Sequence, residues 1–182
     1  PYSYIAHKKI QKIKEHQKII FNYKPILLGG LHNLAGINAP AFNKFKIKNM
    51  QSDCELVSKK NSISFKWNLK FPINSLPIMR GYLSVEDGQK EDYLNIFFDA
   101  YWRDNLDLSS DKEFSKLLES LKIDSKIFFE KITQQSIKDT LKKFTNDAFE
   151  KEVFGAPTFI VNNKIFWGQD RLEYALEELS DS

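Results

Sequence analysis

The 182-residue sequence holds a single cysteine, Cys54. One thiol excludes an internal disulfide and any Cys-x-x-Cys redox pair, so dithiol oxidation is not the chemistry of this chain. No apolar run approaches the ~20 residues that a membrane span needs. The opening "PYSYIAHKKIQKIKEH" also lacks the uninterrupted apolar region of a signal peptide. Together these absences lead to the expectation of a cytoplasmic protein. The histidines, His7, His16 and His32, are scattered without metal-ligand spacing and read as surface or core residues, with no metal site. Nothing supplies a Ser–His–Asp arrangement. Internal repeats, low-complexity linkers and blocks of like charge are absent too. The 27 Lys and Arg against 24 Asp and Glu give 27 − 24 = +3, spread along helical patterns, which gives no support to nucleic-acid binding.

What is present describes a folded globule. The hydrophobic fraction is 42%, with 15 Phe, and the length suits one domain with a real core. Residues 2 to about 16 read as a helix with Ile5, Ala6, Ile10, Ile13 and Ile19 or Ile20 on one stripe, and Pro1 fits its first position. "IIFNYKPILL" is rich in β-branched and aromatic residues and reads as a buried strand ending near Leu28, unpaired on one side at Pro25. "GGLHNLAGINAP" reads as a loop. A helix is expected over 41–57, extended chain over "FKWNLKFPIN" with a break at Pro72, and helices over 75–85, 91–103, 111–121, 124–132 and 136–153. "YLNIFFDAYW" should be the core of this helical block. The ending switches period: "PTFIV" and "KIFW" are short strands, and "NN" suits a two-residue hairpin turn because Asn tolerates positive φ. A last helix runs through Leu172, Leu176 and Leu179, with Asp170 or Gln169 as its cap.

Three stretches can carry chemistry. Pro157 after Ala156 is either a plain strand start or a cis-proline that turns the backbone groups of Ala156 outward, free to pair with an extended ligand. Gln169 and Asp170 either cap the last helix or use the same physics on a ligand: bare N–H donors hold a carboxylate, and Asp170 binds an ammonium. Pro1, Tyr2 and Ser3 open the first helix, whose dipole stabilises a thiolate placed there, although Ser3 itself reads as a first-turn hydroxyl. Asn38 is a turn residue or a ligand contact, and Asn74 reads first as a helix cap. Cys54 sits in an expected helix as a small core residue.

"PYSYIAHKKI", "ILLGGLHNLAGINAP", "FPINSLPIMRG" and "VFGAPTFIVNNKIFWGQDRLEYAL" together resemble the 2-hydroxychromene-2-carboxylate isomerase family, close to kappa-class glutathione transferases and more distant from DsbA. The resemblance covers nearly the whole chain. It implies an α/β, thioredoxin-like fold with a large all-helical insertion, as residues 1–40 and 151–182 around a helical domain at 41–150. It implies glutathione as cofactor, a small aromatic carboxylate as substrate, and homodimers, which are common among family members. The family's activating Ser would stand immediately before Pro1, and its first β-strand would precede that; neither is in this sequence, so the catalytic residue is unassigned. The cofactor contacts implied are Pro1 and Tyr2 at the start of the first helix, Asn38 (or Ile37) in the loop, and Ala156 with Pro157 against the cysteinyl backbone. Gln169 and Asp170 would hold the γ-glutamyl end. Asn74 is a substrate contact in this reading, and Lys44, Lys46 and Lys48 are options for the substrate carboxylate. The implied reaction is reversible addition of the glutathione thiolate to an aryl-enone, bond rotation, and expulsion of the thiolate. The competing expectations are a kappa-like glutathione transferase or peroxidase, and a non-catalytic thioredoxin-fold binding protein.

Overall fold

A computed structural model describes residues 1–39 and 43–180. Internal contacts divide the chain into two compact units. The first comprises Pro1–Tyr23, Leu28–Ser64 and Asp147–Ser182; the second comprises Lys24–Leu27 and Phe65–Asn146. The expected helical-domain limits of 41–150 do not coincide with this partition, in which α3 (Lys44–Lys60) groups with the two ends of the chain.

In the first unit, α1 (Tyr2–Lys14) buries Tyr4, Ile5, Ala6, His7 and Ile10 on one face. Lys12 and Lys14 in its last turn complement the helix dipole. Pro1 stands at the N-cap, one place before the expected first helical position. The apolar stripe ends sooner than its spacing predicts, since the helix stops at Lys14 and Ile20 is 94% exposed. The Tyr4 hydroxyl donates to the Ser64 carbonyl at 2.6 Å, and His7 Nδ1 lies 3.1 Å from the Tyr23 hydroxyl.

"IIFNYKPILL" forms no strand: residues 18–27 are irregular up to the start of α2 (Leu28–Leu34). A strand exists only where its backbone groups meet a partner's, and among the described residues only β1 and β2 pair. Pro25 removes one donor in any case, and the Leu27 N–H is satisfied by Thr145 Oγ1 at 3.0 Å. "GGLHNL" is not a loop but falls within α2, where burial of Leu31 and His32 outweighs the poor helix propensity of its glycines. Gly36, at φ +66°, then closes α2, with the Ile37 N–H donating back to the His32 carbonyl at 2.9 Å.

The helix expected over 41–57 is α3, starting at Lys44 on an Asn43 cap whose Oδ1 accepts from Phe45 and Lys46 N–H. Residues 41 and 42 of that expectation lie outside the described residues. At the other end of the unit, β1 (Thr158–Val161) and β2 (Lys164–Trp167) pair antiparallel, with Thr158 opposite Trp167 and Val161 opposite Lys164. Asn162 and Asn163 adopt φ of 49° and 62°, as their turn requires. A 3-10 turn, Gln169–Arg171, leads into α9 (Leu172–Ser180), which buries Leu172 and Ala175 and packs on β1.

The second unit is helical: α4 (Leu76–Ser84), α5 (Lys90–Trp102), α6 (Asp111–Ser120), α7 (Ser125–Lys131) and most of α8 (Gln135–Glu150). Its core is aromatic, as "YLNIFFDAYW" requires: Tyr93, Phe97, Tyr101 and Trp102 of α5 are buried with Phe114 and Phe128. "FKWNLKFPIN" forms no regular element, and its Phe65, Trp67 and Phe71 rings gather on Trp102 at centroid distances of 5.6–5.8 Å. Buried Asn68 holds this segment, donating to the Tyr101 and Leu106 carbonyls and accepting from Lys70 N–H.

Candidate functional site

Every cofactor-contact candidate named from the sequence, namely Pro1, Tyr2, Asn38, Ala156, Pro157, Gln169 and Asp170, lies in the first unit, and Asn74 lies in the second. Within the first unit the hairpin and the final turn are tied together. The Ala156–Pro157 bond is cis. The Pro157 carbonyl accepts from Gly168 N–H at 2.9 Å, which sets Pro157 beside the start of the last helical segment. Two glycines permit this approach. A Cβ on Gly155 would overlap the Trp167 indole, and Gly168 takes φ +112°, where a Cβ would also overlap the Asp170 carboxylate.

Neither Gln169 nor Asp170 caps the helix as the sequence suggests. The cap is Gly168, with no side-chain bond. The would-be caps are drawn to cations instead: Gln169 Oε1 accepts from Lys9 Nζ at 2.6 Å, and Asp170 lies 3.3 Å from Arg171 Nη1. Gln169 is only 7% exposed, whereas Asp170 is open to solvent. Lys9 therefore joins α1 to the turn before α9, donating also towards the Gln169 carbonyl at 3.4 Å. Burial lowers the pKa of this ammonium, while nearby Glu173 and Asp170 oppose the shift.

At the head of α1 the Tyr2 hydroxyl donates to Asp53 Oδ2 of α3 at 2.7 Å. Burial first, and this bond second, push the phenol above its ordinary range, so Tyr2 is a neutral donor already committed. Cys54, beside Asp53, is 0% exposed, and burial pushes its thiol up to about 12. The chain's one thiol is thereby protonated and inaccessible at neutral pH.

Asn38 is exposed in the segment after α2, next to the Gly36 turn. Asn74 is not the cap of α4, a position held by Ser75 without a side-chain bond; its Oδ1 accepts from Leu76 N–H at 3.1 Å in an Asx turn just ahead of the helix. Lys44, Lys46 and Lys48 are all exposed on α3. Lys9 and Asp53 went unread in the sequence: "HKK" looks like a solvated helix face, and an acid next to Cys54 in a helix carries no local signal. Among the described residues no group of three or more His, Cys, Asp or Glu is placed to hold a metal ion, and no helix is long and apolar enough to cross a membrane.

A helix followed, after a long helical insertion, by a hairpin entered through a cis-proline and closed by a terminal helix is a thioredoxin-like arrangement. The chain belongs to the family described as DSBA-like thioredoxin domain, whose profile matches residues 1–180. It is similar to 2-hydroxychromene-2-carboxylate isomerase of Sphingobium xenophagum, at 25% identity over 100% of this chain and 93% of that protein. The protein of the same name from Pseudomonas putida is 24% identical, over 94% of this chain and 85% of its own length. A solved structure of 2-hydroxychromene-2-carboxylate isomerase superposes with a TM-score of 0.89, covering 100% of this chain and 90% of that one at 22% identity, which establishes the fold.

Proposed function

We propose that the chain is a glutathione-dependent cis-trans isomerase of the 2-hydroxychromene-2-carboxylate type, acting on a small aromatic carboxylate. The observation that carries this reading is the joining of Ala156–Pro157 to Gln169–Asp170 through the Gly168-to-Pro157 bond, in a chain whose full-length relatives bear that name. The residues fit a tripeptide with a free amino-acid end. Ala156 precedes the cis bond and is half-buried, so its backbone borders the surface. The Gln169 amide nitrogen has no hydrogen-bond partner among the described residues, and the Asp170 carboxylate is exposed beside it.

In this reading Ala156 pairs with the cysteinyl backbone, Gln169 and Asp170 hold the γ-glutamyl end, Asn38 lies alongside, and the start of α1 at Pro1 and Tyr2 faces the sulfur. Glutathione, when bound, supplies a thiolate nucleophile for reversible addition to an enone. Cys54, buried and held protonated, supplies no thiolate of its own, which supports an external thiol in this reading. The head of α1 lends positive partial charge to an anion near it. Tyr2 keeps its proton on Asp53 and moves none.

The test is calorimetric titration with glutathione on the unaltered chain and on Asp170→Ala, with product analysis on 2-hydroxychromene-2-carboxylate. Binding that weakens in Asp170→Ala, together with trans-benzylidenepyruvate formation dependent on glutathione, is the expected result. Conjugation of chlorodinitrobenzene without isomerisation would replace the reading by a transferase. Undiminished binding by Asp170→Ala would remove the assigned glutamyl site.

A further inference from the structure

The Lys9–Gln169 contact has a directional consequence. An ammonium group has three donors and no acceptor, so the Gln169 amide can meet it only through oxygen. The bond is charge-assisted, at 2.6 Å, and Gln169 is too buried for water to replace it readily. Turning the amide over would set –NH2 against –NH3⁺ and forfeit that bond. The amide orientation is therefore fixed, and its nitrogen is left as a donor with no partner among the described residues. Immediately next in sequence is an exposed carboxylate, Asp170, whose one ion pair among the described residues is with the exposed Arg171, while the Lys9 ammonium lies close enough to feel its charge. A fixed N–H donor beside an acceptor matches a ligand group carrying a carboxylate and an ammonium on one carbon.

We propose that Lys9 is a positioning residue: it acts through Gln169, holding the amide so that Nε2 receives the α-carboxylate of a ligand's free amino-acid end while Asp170 receives the ammonium. This deepens the glutathione reading and rests on it. Lys9 sits half-buried on α1, two turns from the helix start, and its partner lies 160 residues on, so the contact unites both ends of the first unit.

The experiment separates this role from a mere tether. Calorimetry compares glutathione with 4-aminobutyryl-cysteinyl-glycine, which lacks only the α-carboxylate, on the unaltered chain, Lys9→Met, Lys9→Arg and Gln169→Glu. Urea unfolding of each variant runs alongside. Lys9→Met is expected to weaken glutathione roughly tenfold, the scale of one charge-assisted bond, and to leave the decarboxy analogue within about twofold. Lys9→Arg, which keeps a donor, should restore most of the difference. Gln169→Glu, which keeps an oxygen for Lys9 but removes the donor, should behave like Lys9→Met. Equal weakening of both ligands in Lys9→Met, or no weakening of glutathione, would overturn the positioning role while leaving the glutathione reading intact. Failure of the unaltered chain to bind glutathione would sink that reading and the Lys9 role with it.

Discussion

The Tyr2 hydroxyl reaches across 51 positions of sequence to donate a 2.7 Å hydrogen bond to Asp53, fastening the head of α1 to α3. Tyr2→Phe and Asp53→Ala are each expected to destabilise the fold, with a coupling energy of about 1.5–3 kcal/mol for a hydrogen bond to a charged acceptor. A double-mutant cycle by urea unfolding measures it. Strict additivity of the two changes would show that the bond contributes nothing.

Cys54 should be silent in the native protein. With its thiol buried and its pKa pushed up to about 12, it should resist an aromatic disulfide reagent at neutral pH and react fully once guanidinium unfolds the chain. Linkage gives a second consequence. A folded pKa above the unfolded value of 9.0 means stability that is complete below pH 9 and lost as pH rises towards 12. Urea midpoints should fall over that window, and fall less in Cys54→Ala. Rapid labelling of the native chain would contradict the burial.

Gly155 faces the Trp167 indole so closely that any Cβ would overlap it. Gly155→Ala should therefore cost about 1–3 kcal/mol through overpacking. The indole is 52% exposed and packs on Phe154 at 5.0 Å, so it can swing outwards, and a red shift in tryptophan emission should accompany the change. In a Trp167→Ala background the same substitution should cost much less; an equal cost there would place the strain elsewhere.

Gly81, within α4, makes the opposite case to the usual helix glycine. On an open helix Gly→Ala gains about 1 kcal/mol. Here a new methyl would overlap both the Tyr93 hydroxyl and the Phe128 ring, two side chains with almost no exposure. Those rings have nowhere to move, so Gly81→Ala should destabilise by about 3 kcal/mol or more and release the Tyr93 bond to the Ile78 carbonyl. Chemical denaturation checks the first, and ultraviolet titration of tyrosine the second.

The hairpin was legible because its signals are local: alternating apolar residues on each side of two Asn that tolerate the left-handed region. The helices from α4 to α8 were legible for the same reason, their apolar spacing being sustained over whole turns. "IIFNYKPILL" was not, because β-branched composition states a capacity to pair, and pairing depends on a partner elsewhere. "GGLHNL" misled through its glycines, whose cost is met by burying Leu31 and His32. The candidate site was read in part. Pro157 announces its own special bond, but Lys9 acquires its meaning only from a residue 160 positions later. A capping motif likewise cannot reveal that a cation will take its oxygen first.

The two compact units are threaded rather than concatenated: the backbone passes between them after residues 23, 27, 64 and 146. Neither can be excised with a single cut, and a protease nick after residue 27 or 64 leaves both fragments carrying pieces of each. Shuffling this chain with a relative would need matched breakpoints at all four crossings. The brief visit of Lys24–Leu27, stitched by Leu27 to Thr145, would be the crossing most easily misplaced. Chimeras joined only around residues 64 and 146 would inherit a second unit with a foreign thread through it.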